Sequence, residues 1–117
     1  MTDQVCVVVG GGKGMGAAIA REMKRRNYRL SLMSPSDNCE NLAAELDGIA
    51  IRGRAENSRD TDNLIKFTME KFGRIDSLLI HVGGPPKGDL LEISEDDWKI
   101  ANEMVLMPVI RLSKLIT

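Results

Sequence analysis

Aromatic residues are scarce in this chain, with one Trp, one Tyr and two Phe making up 3% of its 117 residues. Stacking platforms for single-stranded nucleic acid need several rings, so that mode of binding is excluded. An excess of charge of one sign is also lacking. Sixteen Lys and Arg stand against seventeen Asp and Glu, a formal net charge of -1 and an isoelectric point near 5.8. That balance leaves no basic footprint for nucleic acid or for an anionic lipid surface. No apolar run approaches the roughly 20 residues that cross a bilayer. The apolar run that follows Gln4 is shorter than the secretory core of about seven or more. A cytoplasmic location is therefore expected. Cysteine is limited to Cys6 in an apolar run and Cys39 in a polar stretch. Without a CxxC or a Cys/His cluster, both read as reduced thiols, and no metal site is expected.

What the chain does have is a regular alternation of short apolar runs and helical patterns, in a composition that suits one globular domain. Residues 5–9 are continuously apolar, as in a central parallel strand buried on both faces. Residues 14–26 read as a helix with Met15, Ala18, Ile19 and Met23 on one face and Asn27 as its candidate C-cap. A second strand over 30–33, a second helix over 38–46 and a weaker third strand over 48–52 follow. The third helix is expected over 61–72, with Leu64, Ile65, Thr68 and Phe72 at helical spacing and Gly73 as its stop. Residues 77–82 form the fourth strand, ahead of the breaker-rich Gly83-Gly84-Pro85-Pro86-Lys87-Gly88. A last helix opens at the capping pattern Ser94-Glu95-Asp96-Asp97. Its apolar stripe is Trp98, Ala101, Val105, Val109, Leu112 and Ile116, with a kink expected at Pro108. Met104 and Met107 read as packing. Four strand–helix repeats predict an open α/β sheet of parallel strands joined by right-handed crossovers.

The chemistry-bearing segment is Val9-Gly10-Gly11-Gly12-Lys13-Gly14-Met15-Gly16, between the first strand and the first helix. Glycines there let backbone approach a phosphate, and the helix N-terminus offers unpaired N–H groups and the positive end of its dipole. A plain tight turn needs fewer glycines, so nucleotide binding is expected. A Walker P-loop requires Ser or Thr after Gly-Lys, and Lys13 is followed by Gly14. That competitor fails.

Gly10-x-x-x-Gly14-x-Gly16 at a first strand–helix turn resembles the TGxxxGxG loop of short-chain dehydrogenases/reductases. Phe72-Gly73-Arg74-Ile75-Asp76, an apolar strand and Gly83-Gly84-Pro85 are similar to that family's FGRID-strand-NNAGGP segment. Asp97-Trp98 before an apolar helix fits its fourth helix. The resemblance, closest to sequences with a GGPP loop, covers essentially the whole chain. It implies a Rossmann-type open parallel sheet with strand order 3-2-1-4 and flanking helices. Residues 1–117 would be a single, partial NAD(P)-binding domain truncated after the fourth helix. The activity implied is that of an NAD(P)-dependent oxidoreductase moving hydride between nicotinamide and a small-molecule carbonyl or alcohol. Cofactor contacts are implied at Gly10, Gly12, Lys13, Gly14, Met15 and Gly16 in the loop. Ser34 would follow them at the end of the second strand, Ala55 after the third, and Val82 and Gly83 after the fourth.

Several positions depart from the family pattern. Val9 stands where Thr is usual, and Ile80-His81-Val82-Gly83 replaces Asn-Asn-Ala-Gly. Arg54 stands where an Asp would accept from the adenine amino group, and a guanidinium can only donate. Val105 replaces an Asn of the fourth helix, as in the GGPP-loop subgroup. NAD sites place a carboxylate at the end of the second strand, where this chain has Ser34-Pro35-Ser36. Lys13 lies where NADP-preferring relatives often carry a basic residue. NADP is thus expected over NAD, with the nearby Asp37 expected to cap the second helix instead.

In the family a Tyr-x-x-x-Lys pair supplies acid–base catalysis beyond the fourth helix. Here the single tyrosine, Tyr28, is followed four positions later by Leu32 and reads as structural. The lone His81 could serve as a proton shuttle but has no catalytic partner in the pattern, so a strand-end residue is the expectation. No catalytic residue is assigned. The chain is expected to be the cofactor-binding half of a reductase, inactive alone. A non-catalytic NADP-sensing module and an inert self-associating fragment are the alternatives. An unprotected fourth strand and the apolar stripe of the last helix lead to an expected homo-oligomer through that helix.

Overall fold

The computed structural model describes residues 4–10, 14–81 and 92–116. Its elements run β1 (Val5–Val9), α1 (Gly14–Arg25), β2 (Arg29–Ser34), α2 (Asn38–Leu46), β3 (Ile49–Arg52), α3 (Ser58–Phe72) and β4 (Ser77–Ile80). The last helix comprises α4 (Glu95–Ala101), a π turn (Asn102–Leu106) and α5 (Met107–Ile116). All strand pairs are parallel, in the order β3-β2-β1-β4. This is the Rossmann-type sheet and strand order expected.

Side chains alternate across the sheet and so define two cores. Cys6 and Val8 point with Leu30 and Leu32 toward Ala17 and Ala20 of α1 and Leu42, Ala43 and Leu46 of α2. Val7, Val9 and Met33 meet Leu64 and Ile65 of α3 and Leu112 of α5 on the other side. Because helices cover both faces, β1 is buried at every position, which is why its sequence is continuously apolar. β3 and β4, at the margins of the described sheet, are less buried.

Several local expectations are corrected. α1 ends at Arg25, and Asn27 takes the left-handed conformation (φ 69°) that reverses the chain. Its buried residues are Gly16, Ala17 and Ala20, and of the expected stripe only Met23 packs against that core, while Met15 is 64% exposed. Small side chains bring a helix close to a sheet, and the bulkier ones are displaced to its flanks. Asp37 holds the N-cap position of α2 but makes no side-chain capping bond. The Asn38 amide donates to Ser36 Oγ at 3.3 Å instead. α3 begins at Ser58, a turn before the expected start at residue 61, because the Asn57 side chain accepts from the Arg59 and Asp60 amides at 2.9 and 3.1 Å. β4 stops at Ile80, although the His81 amide still donates to the Val9 carbonyl at 2.8 Å; Val82 lies outside the described residues.

The segment after α3 fastens the sheet. Gly73 (φ 78°) terminates the helix in the left-handed region. Asp76 then accepts from the Val5 amide at 2.8 Å and from the Arg74 fork at 2.9 and 2.6 Å. Those bonds hold its carboxyl below the usual carboxylate range, the Arg74 contact first and the Val5 amide second. One carboxylate thereby joins the starts of β1 and β4.

In the last helix, Ser94 Oγ accepts from the Asp97 amide at 3.1 Å, as its capping pattern predicts. The disturbance expected at Pro108 takes the form of the π turn just before it, where the Met107 amide donates five residues back to Asn102. A proline has no N–H to offer the carbonyl four residues earlier, and a wider turn accommodates that loss. Of the expected apolar stripe only Leu112 is fully buried, joined by Pro108. Trp98 is 50% exposed and Val109 44%, with Val105 and Ile116 also exposed.

Candidate functional site

The carboxyl ends of the four strands converge on a cavity of about 400 Å³, within the range of small-molecule sites. Open parallel α/β sheets place ligands in this crevice, outside the carboxyl ends of their strands. Val9, Gly10 and Gly14 form the side nearest α1. Gly10 has φ 82°, and its amide donates to the Met33 carbonyl at 2.7 Å. A Cβ there would stand 1.9 Å from the His81 carbonyl oxygen, so no side chain fits. Gly14 opens α1 with φ 60°, and a Cβ on it would meet none of the described residues within 4 Å. Free space beside a helix N-terminus suits a phosphate group. Gly16 is buried within α1 and serves its close approach to the sheet.

Beyond β2 the cavity is lined by Ser34, Pro35, Ser36 and Asn38. The Ser34 hydroxyl donates to the Ser36 carbonyl at 3.1 Å, which also receives the Cys39 thiol at 3.5 Å. Asp37 is exposed and does not line the cavity. Gly53, Ala55 and Glu56 continue the wall after β3, while Met33, His81 and Met104 complete the described lining. Arg54 stays outside. Its amide donates to Asp60 Oδ2 at 2.9 Å and its guanidinium lies 3.6 Å from Glu56 Oε1.

Of the cofactor residues expected from sequence, the cavity thus brings together Gly10, Gly14, Ser34 and Ala55. Met15 and Gly16 flank it without lining it, and Gly12, Lys13, Val82 and Gly83 lie outside the described residues. Sequence reasoning missed Asn38, Gly53, Glu56 and Met104. Gly53 carried a signal, a glycine closing a strand, and a Cβ there would press on Asp60 and the Met33 sulfur at 2.9 Å. Met104 was read as packing alone. Tyr28 packs against the α1–α2 core, in keeping with a structural role. His81 lines the cavity as an exposed residue, and its backbone amide makes the contact with Val9. Both cysteines are free, and burial pushes the Cys6 thiol up to about 11. Among the described residues no group of three or more His, Cys, Asp or Glu is placed to hold a metal ion. No helix among them is long and apolar enough to cross a membrane.

The residues present fit a dinucleotide: glycine backbone at a helix N-terminus, hydroxyl and amide groups beyond β2, and an apolar remainder from Val9, Met33, Ala55 and Met104. Comparisons with known proteins agree. The family model for short chain dehydrogenases matches residues 4–117. A 3-oxoacyl-[acyl-carrier-protein] reductase from Synechocystis is 27% identical over 124 aligned positions, covering all of this chain and 50% of the relative. The oxidoreductase UcpA of Escherichia coli K12 is 35% identical, with 83% of this chain and 39% of the relative covered. Among solved structures, an alcohol dehydrogenase from the archaeon Thermococcus sibiricus, complexed with 5-hydroxy-NADP, superposes with a TM-score of 0.88 at 28% identity. That match covers 97% of this chain and 51% of the archaeal one. Actinorhodin polyketide ketoreductase gives the same TM-score at 22% identity, a likeness of fold, over 98% of this chain and 47% of its own. The chain spans half the length, or less, of these curated relatives.

Proposed function

The chain belongs to the short-chain dehydrogenase family, and from that premise we propose that it binds NADP in preference to NAD, as the cofactor half of an oxidoreductase. The observation that carries this reading is the wall beyond β2. Ser34, Pro35, Ser36 and Asn38 line it, and among the described residues no carboxylate does. A carboxylate there would hold a ribose 2′-hydroxyl and repel a 2′-phosphate. The Thermococcus sibiricus relative, solved with a derivative of NADP, supports the same choice.

In this reading Gly10, Gly14 and the N-terminus of α1 receive the pyrophosphate, with Gly12 beside them and Lys13 offering charge to the 2′-phosphate. Gly16 acts through packing, and Met15 stands exposed at the first turn of α1. Ala55, Val82 and Gly83 complete the contacts. When bound, the nicotinamide supplies or accepts a hydride for carbonyl–alcohol interconversion. The sequence contains no Tyr-x-x-x-Lys pair, so the chain by itself binds without turnover. A second copy is the partner proposed for the exposed face of the last helix, where Trp98, Val105, Val109 and Ile116 lie.

Calorimetric titration with NADPH and NADH tests the reading. Tighter binding of NADPH is expected. Equal affinities would remove the NADP preference, and no binding by the folded chain would remove the function. Gly14→Val should abolish binding, because the side chain enters the space kept for phosphate. The variant should still melt cooperatively, since the left-handed conformation costs a non-glycine residue only about 1–2 kcal/mol.

A further inference from the structure

We propose that Arg111 is a positioning residue for the cofactor cavity, joining two of its walls through one guanidinium. The inference rests on the dinucleotide reading and assigns a residue of α5 to it. Arg111 Nη1 donates to the Glu56 carbonyl at 3.1 Å, and Nη2 donates to a Glu103 carboxylate oxygen at 3.1 Å. Glu56 lies in the loop between β3 and α3 and lines the cavity, and Glu103 immediately precedes Met104, which lines it from the π turn. The two walls are far apart in sequence, and the fork of one side chain reaches both.

Its surroundings make this more than a surface ion pair. The Arg111 side chain is only 25% exposed, and although its Glu103 partner is half exposed, the bond to the Glu56 carbonyl is partly buried and less screened than a solvated pair. A rigid planar fork fixes two acceptors at a set angle, which a lysine ammonium does not do. The loop it holds is anchored to the core through buried Ala55, and its other polar bonds are local. The Arg54 amide donates to Asp60, the Asn57 amide donates to the Arg54 carbonyl at 3.0 Å, and the Arg54 guanidinium sits beside the Glu56 carboxylate. Arg111 adds a polar link from that loop to the last helix. Without the fork, Ala55 still packs in the core it shares with Leu112 of α5, but the Glu56 end of the wall loses its polar tie to the turn that carries Met104. Ordering it would then be left to the ligand, and affinity would fall.

The test uses the whole 117-residue chain, unsubstituted and as Arg111→Met, Arg111→Lys and Glu103→Gln. NADPH affinity is measured by calorimetry, thermal melting without ligand, and amide hydrogen exchange over residues 54–57. Arg111→Met should weaken NADPH binding about tenfold, with Arg111→Lys recovering part of it and Glu103→Gln losing about twofold, as expected for charge-assisted bonds. Exchange over residues 54–57 should quicken in the same order. A merely structural role would lower the melting temperature but leave affinity and loop exchange of the folded protein unchanged, and that result overturns the proposal. Should Arg111→Met fail to fold, Arg111→Lys and Glu103→Gln carry the same decision. Absence of NADPH binding by the unsubstituted chain overturns the dinucleotide reading. Unchanged affinity in the variants of a chain that does bind overturns only the role of Arg111.

Discussion

α3 and the last helix pack on the same face of the sheet, α3 through Leu64 and Ile65 and the last helix through Leu112. α3 is completed within the chain. Asn57 caps its start, Gly73 ends it, and Thr61, Leu64, Ile65 and Thr68 form one buried stripe. Even its polar members are satisfied: the Thr61 hydroxyl donates to the Ser58 carbonyl at 2.9 Å, and the Thr68 hydroxyl lies 2.6 Å from the Ser31 hydroxyl and 2.7 Å from the Leu64 carbonyl. The last helix buries only Pro108 and Leu112 and leaves Trp98, Val105, Leu106, Val109 and Ile110 exposed. Apolar spacing therefore says which residues share a face and is silent on what covers that face. α3 is a helix for stability, and the last helix offers a surface.

The sharpest way to break this contrast is to truncate one residue on each helix. Leu64→Ala should cost about 2–5 kcal/mol through lost burial and a residual cavity. Val109→Ala should stay within about 0.5 kcal/mol when measured on dilute monomer. Denaturant midpoints compare them, and losses of similar size would erase the distinction.

A smaller effect probes the surface directly. Sedimentation across micromolar concentrations should show a dimer or larger species for the unsubstituted chain. Val109→Asp should weaken that association by about tenfold or more, since it buries an unpaired charge in the contact. A monomer at every concentration would leave the last helix without the partner proposed for it.

The smallest effect concerns the link between α3 and β4. The Asp76 carboxyl titrates below its unfolded value, so its contribution is present above about pH 4, the usual value for Asp. It is lost as pH falls further, through the native value, because the unfolded chain then binds the proton more readily. Asp76→Asn should flatten the acid limb of stability in that window while leaving its shape near neutrality unchanged. Urea midpoints from pH 2 to 7 would show this, and an unchanged acid limb would mean that another carboxylate governs it.

The sheet was largely legible because its signals are local. The unbroken apolar run of β1, the glycines after it and the stop at Gly73 each act on their own few residues. The family resemblance then supplied the strand order. The cavity was legible from the same kind of signal at Gly10 and Gly14, and at Ser34 and Ala55 only through what the family resemblance implies. Glu56 and Met104 share its wall because α3 and α5 pack together, and no local pattern announces a pairing between residues so distant. Asp37 misled because a residue with capping chemistry at a capping position need not cap when the hydroxyl of Ser36 is within reach of the same amide. The inward face of α1 was misjudged for a different reason. Hydrophobic size does not track burial there, since Gly16, Ala17 and Ala20 are the buried residues of the helix and they are small.

The π turn over Asn102–Leu106 gives the last helix a one-residue reserve of length. A bond reaching five residues back encloses one residue more than the bond of a regular helix. A chain shorter by one residue in this segment would close to α-helical spacing with a kink left at Pro108, and Trp98 on one side and Leu112 on the other would keep their present faces. The same deletion within α3, where no such slack exists, would swing every following side chain by about 100° and turn its buried stripe toward water. Tolerance to change in chain length is thus concentrated at the turn that carries Met104 to the cavity.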